Sequence, residues 1–199
     1  DSHVPGVAHA GKTGWVYVLD RPTGRQLRRS DPFVPLENVF PAPTREGVRT
    51  SPGSRGAANW PPPAYSPRTG AMYVLGSHIP MTFRLDTTVS TPKGMVNAFA
   101  RFEPLPDSLN FGTFSAVDVA TERIRWQRRV PGQLMFGGAV ATGGDLVFLG
   151  GSQGLLEALD AETGELLWRV QAGRGNLGPP ISFQGGDHQR NAVTSWDGV

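Results

Sequence analysis

The sequence predicts an all-β protein built from β-propeller blades, each a four-stranded antiparallel sheet. Two observations predict this fold: a composition rich in glycine and poor in charge, and a motif that returns every 42 to 52 residues. The 199 residues include 26 Gly and 18 Pro, and only 18% of them are charged. Helices favour Ala, Glu and Lys, so this composition favours short strands joined by turns.

The repeat consists of an Asp-x-x-Thr-Gly motif followed by a strand that ends in Trp. Residues 154–168 align without gaps on residues 112–126, and residues 14–28 form a third copy that lacks the final Trp. A degraded copy at residues 64–73 carries Ser66 in place of Asp. The equivalent positions are separated by 46, 52 and 42 residues, which is the period of a four-stranded propeller blade.

Each copy of the motif predicts a hairpin. The Asp160 carboxylate can accept hydrogen bonds from backbone N–H groups two residues on, and Gly164 supplies the positive φ that closes the turn through a bulge. The following strand ends at Trp168, whose ring is large enough to fill the gap between adjacent blades. The sequence therefore predicts a partial propeller over residues 1–199, with about four blade units in an incomplete ring and hairpin turns near residues 20–24, 66–70, 118–122 and 160–164.

Two long stretches, residues 30–58 and 76–101, separate the repeats. The first stretch is rich in proline, so we expect neither regular strand nor helix there. Loops longer than about 15 residues in compact domains are often functional. We expect these two to lie over one face of the propeller, where they would cover a ligand.

Charge and composition exclude several classes of function. The formal net charge is +2, and the pairs Arg28-Arg29 and Arg128-Arg129 are too short for a nucleic-acid-binding stripe. The chain has no cysteine, which excludes disulfides, thiolate metal sites and a cysteine nucleophile. Its four histidines lack metal-ligand spacing, so no metal ligand is assigned. No apolar run is long enough to cross a bilayer, and any association with a membrane stays open.

Four segments resemble the quinoprotein alcohol dehydrogenases, which bind pyrroloquinoline quinone (PQQ) on an eight-bladed propeller with Trp-ending repeats. Residues 8–21 resemble the family's segment in which a basic residue reaches the cofactor just before a strand. Residues 59–70, which begin Asn-Trp-Pro, resemble its Asn-Trp-Pro segment. Residues 136–148 are similar to the stretch in which an aromatic residue precedes Gly-Gly beside the quinone, and residues 175–182 resemble the segment leading into the last strands.

The resemblance implies roles for four residues. Lys12, the catalytic candidate, corresponds to the cation that hydrogen-bonds the ortho-oxygens of the quinone, where an ammonium stabilises the negative charge that hydride transfer brings. Asn59 would bind the polar rim of the cofactor, and Trp60 and Phe136 would contact it. Phe136 stands where several relatives carry Trp, so the indole hydrogen bond is lost there. The alternatives are a solvated turn lysine, a turn asparagine, and plain packing for the two aromatic rings.

The resemblance also implies a function for the protein that contains the chain. It implies a PQQ- and Ca²⁺-dependent dehydrogenase that oxidises an alcohol or sugar by hydride transfer and passes electrons to a cytochrome c in the bacterial periplasm. In the family, the catalytic Asp, the Ca²⁺ ligands and an adjacent-cysteine disulfide lie upstream of the segment that opens this chain. We therefore expect a fragment from the C-terminal half of the propeller.

A second class of function shares the same repeat. Non-catalytic propeller scaffolds that bind peptides in outer-membrane protein assembly also carry Asp-x-x-Thr-Gly motifs followed by Trp. Such scaffolds would not be expected to need both the Lys12 segment and the Asn59 segment, so the dehydrogenase is the preferred hypothesis.

Overall fold

A computed structural model of the chain describes residues 5–86, 99–130 and 136–196. These residues form β-strands and turns, with one short 3₁₀ turn at Asp107–Leu109. The strands, in chain order, are β1 (Gly6–Ala10), β2 (Val16–Asp20), β3 (Gln26–Arg29), β4 (Val48–Thr50), β5 (Ala64–Ser66), β6 (Ala71–His78), β7 (Met81–Asp86), β8 (Phe99–Pro104), β9 (Phe111–Asp118), β10 (Ile124–Val130), β11 (Gly138–Ala141), β12 (Leu146–Gly150), β13 (Leu155–Asp160), β14 (Leu166–Gln171), β15 (Asn176–Leu177), β16 (Ile181–Gly185), β17 (His188–Ala192) and β18 (Ser195–Trp196).

Two four-stranded antiparallel sheets form the centre of the structure. Numbered in chain order after the β1-β2-β3 sheet, the second sheet has the order β5-β6-β9-β10, and the third has the order β11-β12-β13-β14. The first sheet, β1-β2-β3, has three strands among the described residues, and the short pairs β15-β18 and β16-β17 follow the third sheet. This architecture confirms the predicted all-β fold of four-stranded antiparallel sheets, and the described residues do not close into a ring.

The Asp-x-x-Thr-Gly motifs form the predicted hairpins. Asp160 accepts hydrogen bonds from the N–H groups of Glu162 (2.9 Å) and Thr163 (2.8 Å), and the pairing of β13 with β14 shifts register between Ala158 and Leu159. In all four turns the residue four positions on donates its N–H to the carbonyl of the first residue and has a positive φ: Gly24 (70°), Gly70 (66°), Glu122 (62°) and Gly164 (74°). The bulge and the side-chain hydrogen bonds at Asp160 are therefore confirmed.

The turn at residues 66–70 differs from the other three in its place within a sheet. It joins β5 to β6, whereas the turn at 118–122 joins β9 to β10 of the same sheet. The 52 residues between them are therefore not a blade period, because part of that length is an insertion between β6 and β9. Both turns are closed by the same backbone hydrogen bond, from the N–H of the fifth residue to the carbonyl of the first, so the local sequence does not show which hairpin of a sheet each one closes. The division into about four blade units stays a prediction.

The two long stretches between the repeats pair with each other. Strand β4, from the proline-rich stretch, is hydrogen-bonded to β7, and β7 pairs with β8. The expectation that residues 30–58 contain no strand is wrong, because the segment between Pro43 and Pro52 has no proline and keeps its N–H groups. The two strands of the insertion, β7 and β8, thus form with β4 a three-stranded sheet, the insertion sheet, and β7 follows directly on β6 of the second sheet.

The core lies between the faces of successive sheets. Tyr73 and Phe114, both fully buried, pack against Trp126, whose indole reaches the turn of the third sheet at Ala161. The ring at the end of a repeat therefore does fill a gap between sheets, as the sequence predicts, but the residue that does so is Trp126. Trp168 is 49% exposed.

Candidate functional site

Lys12 lies in the turn between β1 and β2. The turn is held by the N–H of Gly14, which donates to the carbonyl of Gly11 at 3.3 Å. The Lys12 side chain is exposed, and its Nζ donates a long hydrogen bond of 3.5 Å to the carbonyl of Ser54. An ammonium held this weakly can exchange its partner for a ligand oxygen at small cost.

Asn59 lies close to Lys12 because the two segments share backbone hydrogen bonds. The N–H of Ala57 donates to the carbonyl of Lys12 at 2.9 Å, and the N–H of Ala58 donates to the carbonyl of Gly11 at 3.3 Å. The exposed side chain of Asn59 donates from Nδ2 to the carbonyl of Arg55 at 3.3 Å. Lys12 and Asn59 therefore donate hydrogen bonds to the carbonyls of two consecutive residues, Ser54 and Arg55.

Trp60 and Phe136 form a second pair, although 76 residues separate them in the sequence. Their ring centroids are 6.4 Å apart with an interplanar angle of 71°, an edge-to-face contact. Trp60 precedes β5 and Phe136 precedes β11, which are the first strands of their sheets. Both rings keep a free face, since Trp60 is 72% exposed and Phe136 is 38% exposed.

Gly137, next to Phe136, has no room for a side chain. Its φ is +100°, and a Cβ at this position would lie 2.0 Å from the carbonyl oxygen of Gly150. A side chain is therefore excluded by the backbone of β12 as well as by the left-handed conformation. Glycine is therefore required where the chain passes from Phe136 into β11.

A shallow cavity of about 250 Å³ opens beside the two aromatic rings. Ligand sites that enclose a small molecule have about 300–1,000 Å³, so this cavity is smaller than a site that encloses a ligand by itself. It is lined by Trp60, Pro61, Phe136, Gly137, Asn176, Leu177, Gly178, Pro179, Thr194, Ser195 and Trp196.

Sequence reasoning missed the contribution of the last strands to this cavity. Asn176 and Trp196 reach it from the paired strands β15 and β18. The signal available in the sequence is weak, because it consists of an amide within the 175–182 stretch and a tryptophan that is 69% exposed. Neither carries a spacing that points to a ligand.

The structure brings the four candidate residues into two pairs, Lys12 with Asn59 and Trp60 with Phe136. The pairs are connected because Asn59 and Trp60 are consecutive in the chain. Their roles toward a cofactor stay predictions. Across the three described ranges, no group of three or more His, Cys, Asp or Glu side chains could hold a metal ion. The same ranges contain no helix long and apolar enough to span a membrane.

Comparisons with known proteins identify the relatives of the chain. Residues 110–186 match the family model described as outer membrane protein assembly factor BamB. Over 218 residues the chain is 32% identical to the quinoprotein alcohol dehydrogenase PedE of Pseudomonas putida, an alignment that covers 96% of this chain and 34% of PedE. It is 31% identical to a lanthanide-dependent methanol dehydrogenase of Methylacidiphilum fumariolicum, with 98% and 36% covered.

Solved structures agree with the sequence comparison. A europium-containing methanol dehydrogenase superposes with a TM-score of 0.76 and 30% identity, covering 100% of this chain and 37% of that one. The chain spans about a third of the length of the curated relatives it matches. Similarity of this kind along nearly the whole chain, in sequence and in fold, shows that the chain belongs to the quinoprotein alcohol dehydrogenase family.

Proposed function

We propose that the chain forms one wall of the cofactor pocket in a PQQ-dependent dehydrogenase that oxidises an alcohol by hydride transfer. One observation supports this most directly. Two exposed donors, Lys12 and Asn59, hydrogen-bond to the carbonyls of consecutive residues, and Asn59 is followed in the chain by Trp60 of the Trp60–Phe136 pair. These side chains come from three separate segments of the sequence. Each is a residue for which the resemblance implies contact with the cofactor.

The residues present fit a flat, oxygen-rich acid such as PQQ. Lys12 and Asn59 offer N–H donors to carbonyl and carboxylate oxygens, and both are exposed and only weakly hydrogen-bonded. The Trp60 and Phe136 rings offer an apolar edge. Phe136 has no polar atom, so it can contact the ring system but cannot donate a hydrogen bond to it.

PQQ, when bound, supplies a two-electron acceptor for the hydride that leaves the alcohol carbon while the hydroxyl proton passes to a base and the C=O bond forms. Lys12 holds its ammonium against the oxygens on which negative charge develops, and so stabilises the transition state more than the ground state. Asn59 orients the cofactor by hydrogen bonding, and the two rings exclude water from one side. The base would be an Asp outside this chain.

The remaining parts of the proposal come from the family resemblance. The metal would be Ca²⁺, bound by ligands outside the chain, and a lanthanide is the alternative that the relatives' names suggest. The substrate would be a small alcohol or a sugar. A cytochrome c would accept the electrons, and the enzyme would act in the periplasm.

The test is substitution of Lys12 in the full-length protein that contains this chain. Lys12→Ala should lower kcat by about a hundredfold to a thousandfold, as loss of a charged donor to a developing oxyanion does, with little change in KM. Lys12→Arg should retain more activity, although its planar fork places the charge differently. Steady-state kinetics with an alcohol and an artificial electron acceptor measure both, and the absorbance of bound PQQ confirms loading.

The control is Lys93→Ala, at the second of the two lysines of the chain. Lys93 lies outside the described residues, in a Thr-Pro-Lys-Gly segment, and its loss should change kcat little. If Lys12→Ala turns over at the unmodified rate with PQQ bound, Lys12 is a surface turn residue and its assignment is wrong.

A second candidate function is a peptide-binding scaffold in outer-membrane protein assembly. The match of residues 110–186 to the family model of an assembly factor favours it. That match covers the repeats of the second and third sheets and leaves out the Lys12 and Asn59 segments. Titrating the full-length protein with PQQ and Ca²⁺, followed by tryptophan fluorescence and quinone absorbance, separates the two functions, since the scaffold should bind no PQQ.

A further inference from the structure

The loop of residues 53–56 lies between the Lys12 turn and the insertion sheet. On the insertion side, the N–H of Gly53 donates to the carbonyl of Ile79 at 3.0 Å. The Ser54 hydroxyl donates to Sδ of Met81, the first residue of β7, at 3.4 Å. Ile79 and Met81 are both buried, so this side of the loop rests on a fixed surface.

The other side of the loop is shaped to the stem of Lys12. Gly56 has a φ of +80°, and a Cβ there would lie 2.4 Å from Cγ and 2.5 Å from Cβ of Lys12. Real Cβ atoms do not approach other atoms so closely, so only glycine lets the Lys12 side chain leave its turn in this direction. The hydrogen bond from the N–H of Ala57 to the carbonyl of Lys12 fixes the two backbones at this point.

Between these two sides, the loop presents the carbonyls that hold both candidate donors. Ser54 accepts from Lys12, and Arg55 accepts from Asn59. Neither Ser54 nor Arg55 is implied by the family resemblance, and no motif in the sequence points to them.

We propose that the 53–56 loop positions Lys12 and Asn59 for the ligand, with Gly56 as the positioning residue and Met81 as its support. The proposal rests on the proposed function, because it takes Lys12 and Asn59 to face PQQ. The loop acts by setting where the ammonium and the amide stand, and touches no reacting atom itself. A displacement of about 1 Å in such groups can cost about a hundredfold in rate.

The test compares two glycine-to-alanine substitutions in the full-length protein. Gly56→Ala strains a positive φ and pushes the Lys12 stem aside. Gly24→Ala strains a positive φ of 70° in the same way, but its Cβ would meet nothing within 4 Å. The pair therefore separates backbone strain, which both share, from displacement of Lys12.

The measured quantity is protection of the Lys12 amine from acylation by an N-hydroxysuccinimide ester, with and without PQQ and Ca²⁺. Lys12 and Lys93 are the lysines of this chain, so mass spectrometry resolves the Lys12 peptide readily. PQQ should slow acylation of Lys12 about tenfold in the unmodified protein and in Gly24→Ala, because a charge-assisted hydrogen bond must break first. Gly56→Ala should lose most of that protection.

The outcomes distinguish this proposal from the one on which it rests. If PQQ binds the unmodified protein without protecting Lys12, the proposed contact between Lys12 and the quinone is wrong. If the unmodified protein is protected and Gly56→Ala is protected equally, the positioning role of the loop is overturned. Loss of protection in Gly56→Ala alone supports it.

A second variant serves if Gly56→Ala does not fold. Met81→Leu conserves volume and removes the sulfur that accepts from Ser54, at the cost of a branch at Cγ. Protection reduced about twofold or more supports the proposal, since a neutral hydrogen bond of this kind is worth about that much or more. Unchanged protection in Met81→Leu overturns the role of Met81 as the support.

Discussion

The contact between the first and second sheets and the contact between the second and third use different side chains at one position of the repeat. Eight residues after the turn Asp stands Arg28 in the first repeat and Trp126 in the second. Arg28 donates to the carbonyl of Ala120 at 2.8 Å, and Trp126 donates from Nε1 to the carbonyl of Ala161 at 3.1 Å. Both side chains therefore reach a backbone carbonyl in the turn of the next sheet.

The two contacts differ in the residue that closes the receiving turn. Gly164 closes the turn under Trp126, and a Cβ there would lie 2.6 Å from the indole ring. Glu122 closes the turn under Arg28 at the same left-handed conformation, and its carboxylate lies 3.4 Å from Nε of Arg28. The Trp126 indole thus requires glycine in the turn that it contacts. The Arg28 guanidinium instead tolerates a side chain there and forms an ion pair with Glu122.

The largest expected effect comes from removing the aromatic contact. Trp126→Ala should destabilise the protein by about 3 kcal/mol, because the indole is packed against the buried rings of Tyr73 and Phe114 and leaves a cavity. Urea unfolding followed by far-UV circular dichroism measures this. A cost below about 1 kcal/mol would mean that the second and third sheets are held together without the ring.

The conservative variant separates the ring from its hydrogen bond. Trp126→Phe keeps most of the buried area and loses the N–H, and it should cost about 1 kcal/mol. The Ala161 carbonyl keeps a partner in this variant, since the Tyr73 hydroxyl also donates to it at 3.0 Å.

An effect smaller than that of Trp126→Ala is expected at Asp118, which takes part in both contacts. Its turn receives Arg28, and its partner Arg125 also reaches Glu162 on the turn that receives Trp126. Burial opposes the charged form of Asp118, but the N–H of Thr121, the Arg125 guanidinium and the N–H of Ala120 outweigh it and lower the pKa from 3.8 to about 2.

Because the pKa of Asp118 is lower in the folded state, its ionised form stabilises the fold above pH about 4, and that contribution is lost as the pH falls through about 2. The contribution is about 2 kcal/mol. Asp118→Asn should remove it, so unfolding free energies of the two proteins should differ at pH 6 and converge near pH 2. Asp187→Asn, at an exposed hairpin turn, is the control. A difference that does not change with pH would contradict the assignment.

Much of the fold follows from local chemistry that the sequence displays. The turn at Asp160 is predictable because its carboxylate, its Thr163 and its Gly164 act within five residues. The insertion sheet is not, because β4 meets β7 across more than thirty residues and its partners share no alternation strong enough to predict the pairing. The place of a turn within its sheet also depends on tertiary structure. The turn at Ser66 is an example, because its local sequence does not show that it joins the first two strands of the sheet.

The candidate site divides in the same way. Lys12 and Asn59 stand in segments with a distinctive order of residues, so the sequence identifies them. Their supports, Ser54 and Arg55, act through backbone carbonyls, which every residue has and no sequence pattern marks. Trp196 contributes a ring to the cavity through the pairing of β15 with β18, which only the folded chain brings about.

The smallest effect tests the comparison itself. Arg28→Ala should cost only about 0.5–1 kcal/mol, since the Arg28 and Glu122 side chains are 50% and 34% exposed, and the cost should shrink as salt rises. Arg28→Trp should destabilise the protein more than Arg28→Ala while Glu122 remains, because the Glu122 carboxylate occupies the surface that an indole needs.

Combining Arg28→Trp with Glu122→Gly should give the contact between the first and second sheets the aromatic arrangement seen between the second and third. Relief of the left-handed strain belongs to Glu122→Gly alone, but only the double variant places an indole against a turn without a side chain, so it should be more stable than the sum of the single effects by about 1 kcal/mol. Urea unfolding of the four proteins at low and high salt measures this coupling. Additive costs would show that the neighbouring turn does not decide which side chain the repeat position accepts. A favourable coupling that persists at high salt would show that an apolar contact has replaced an ionic one.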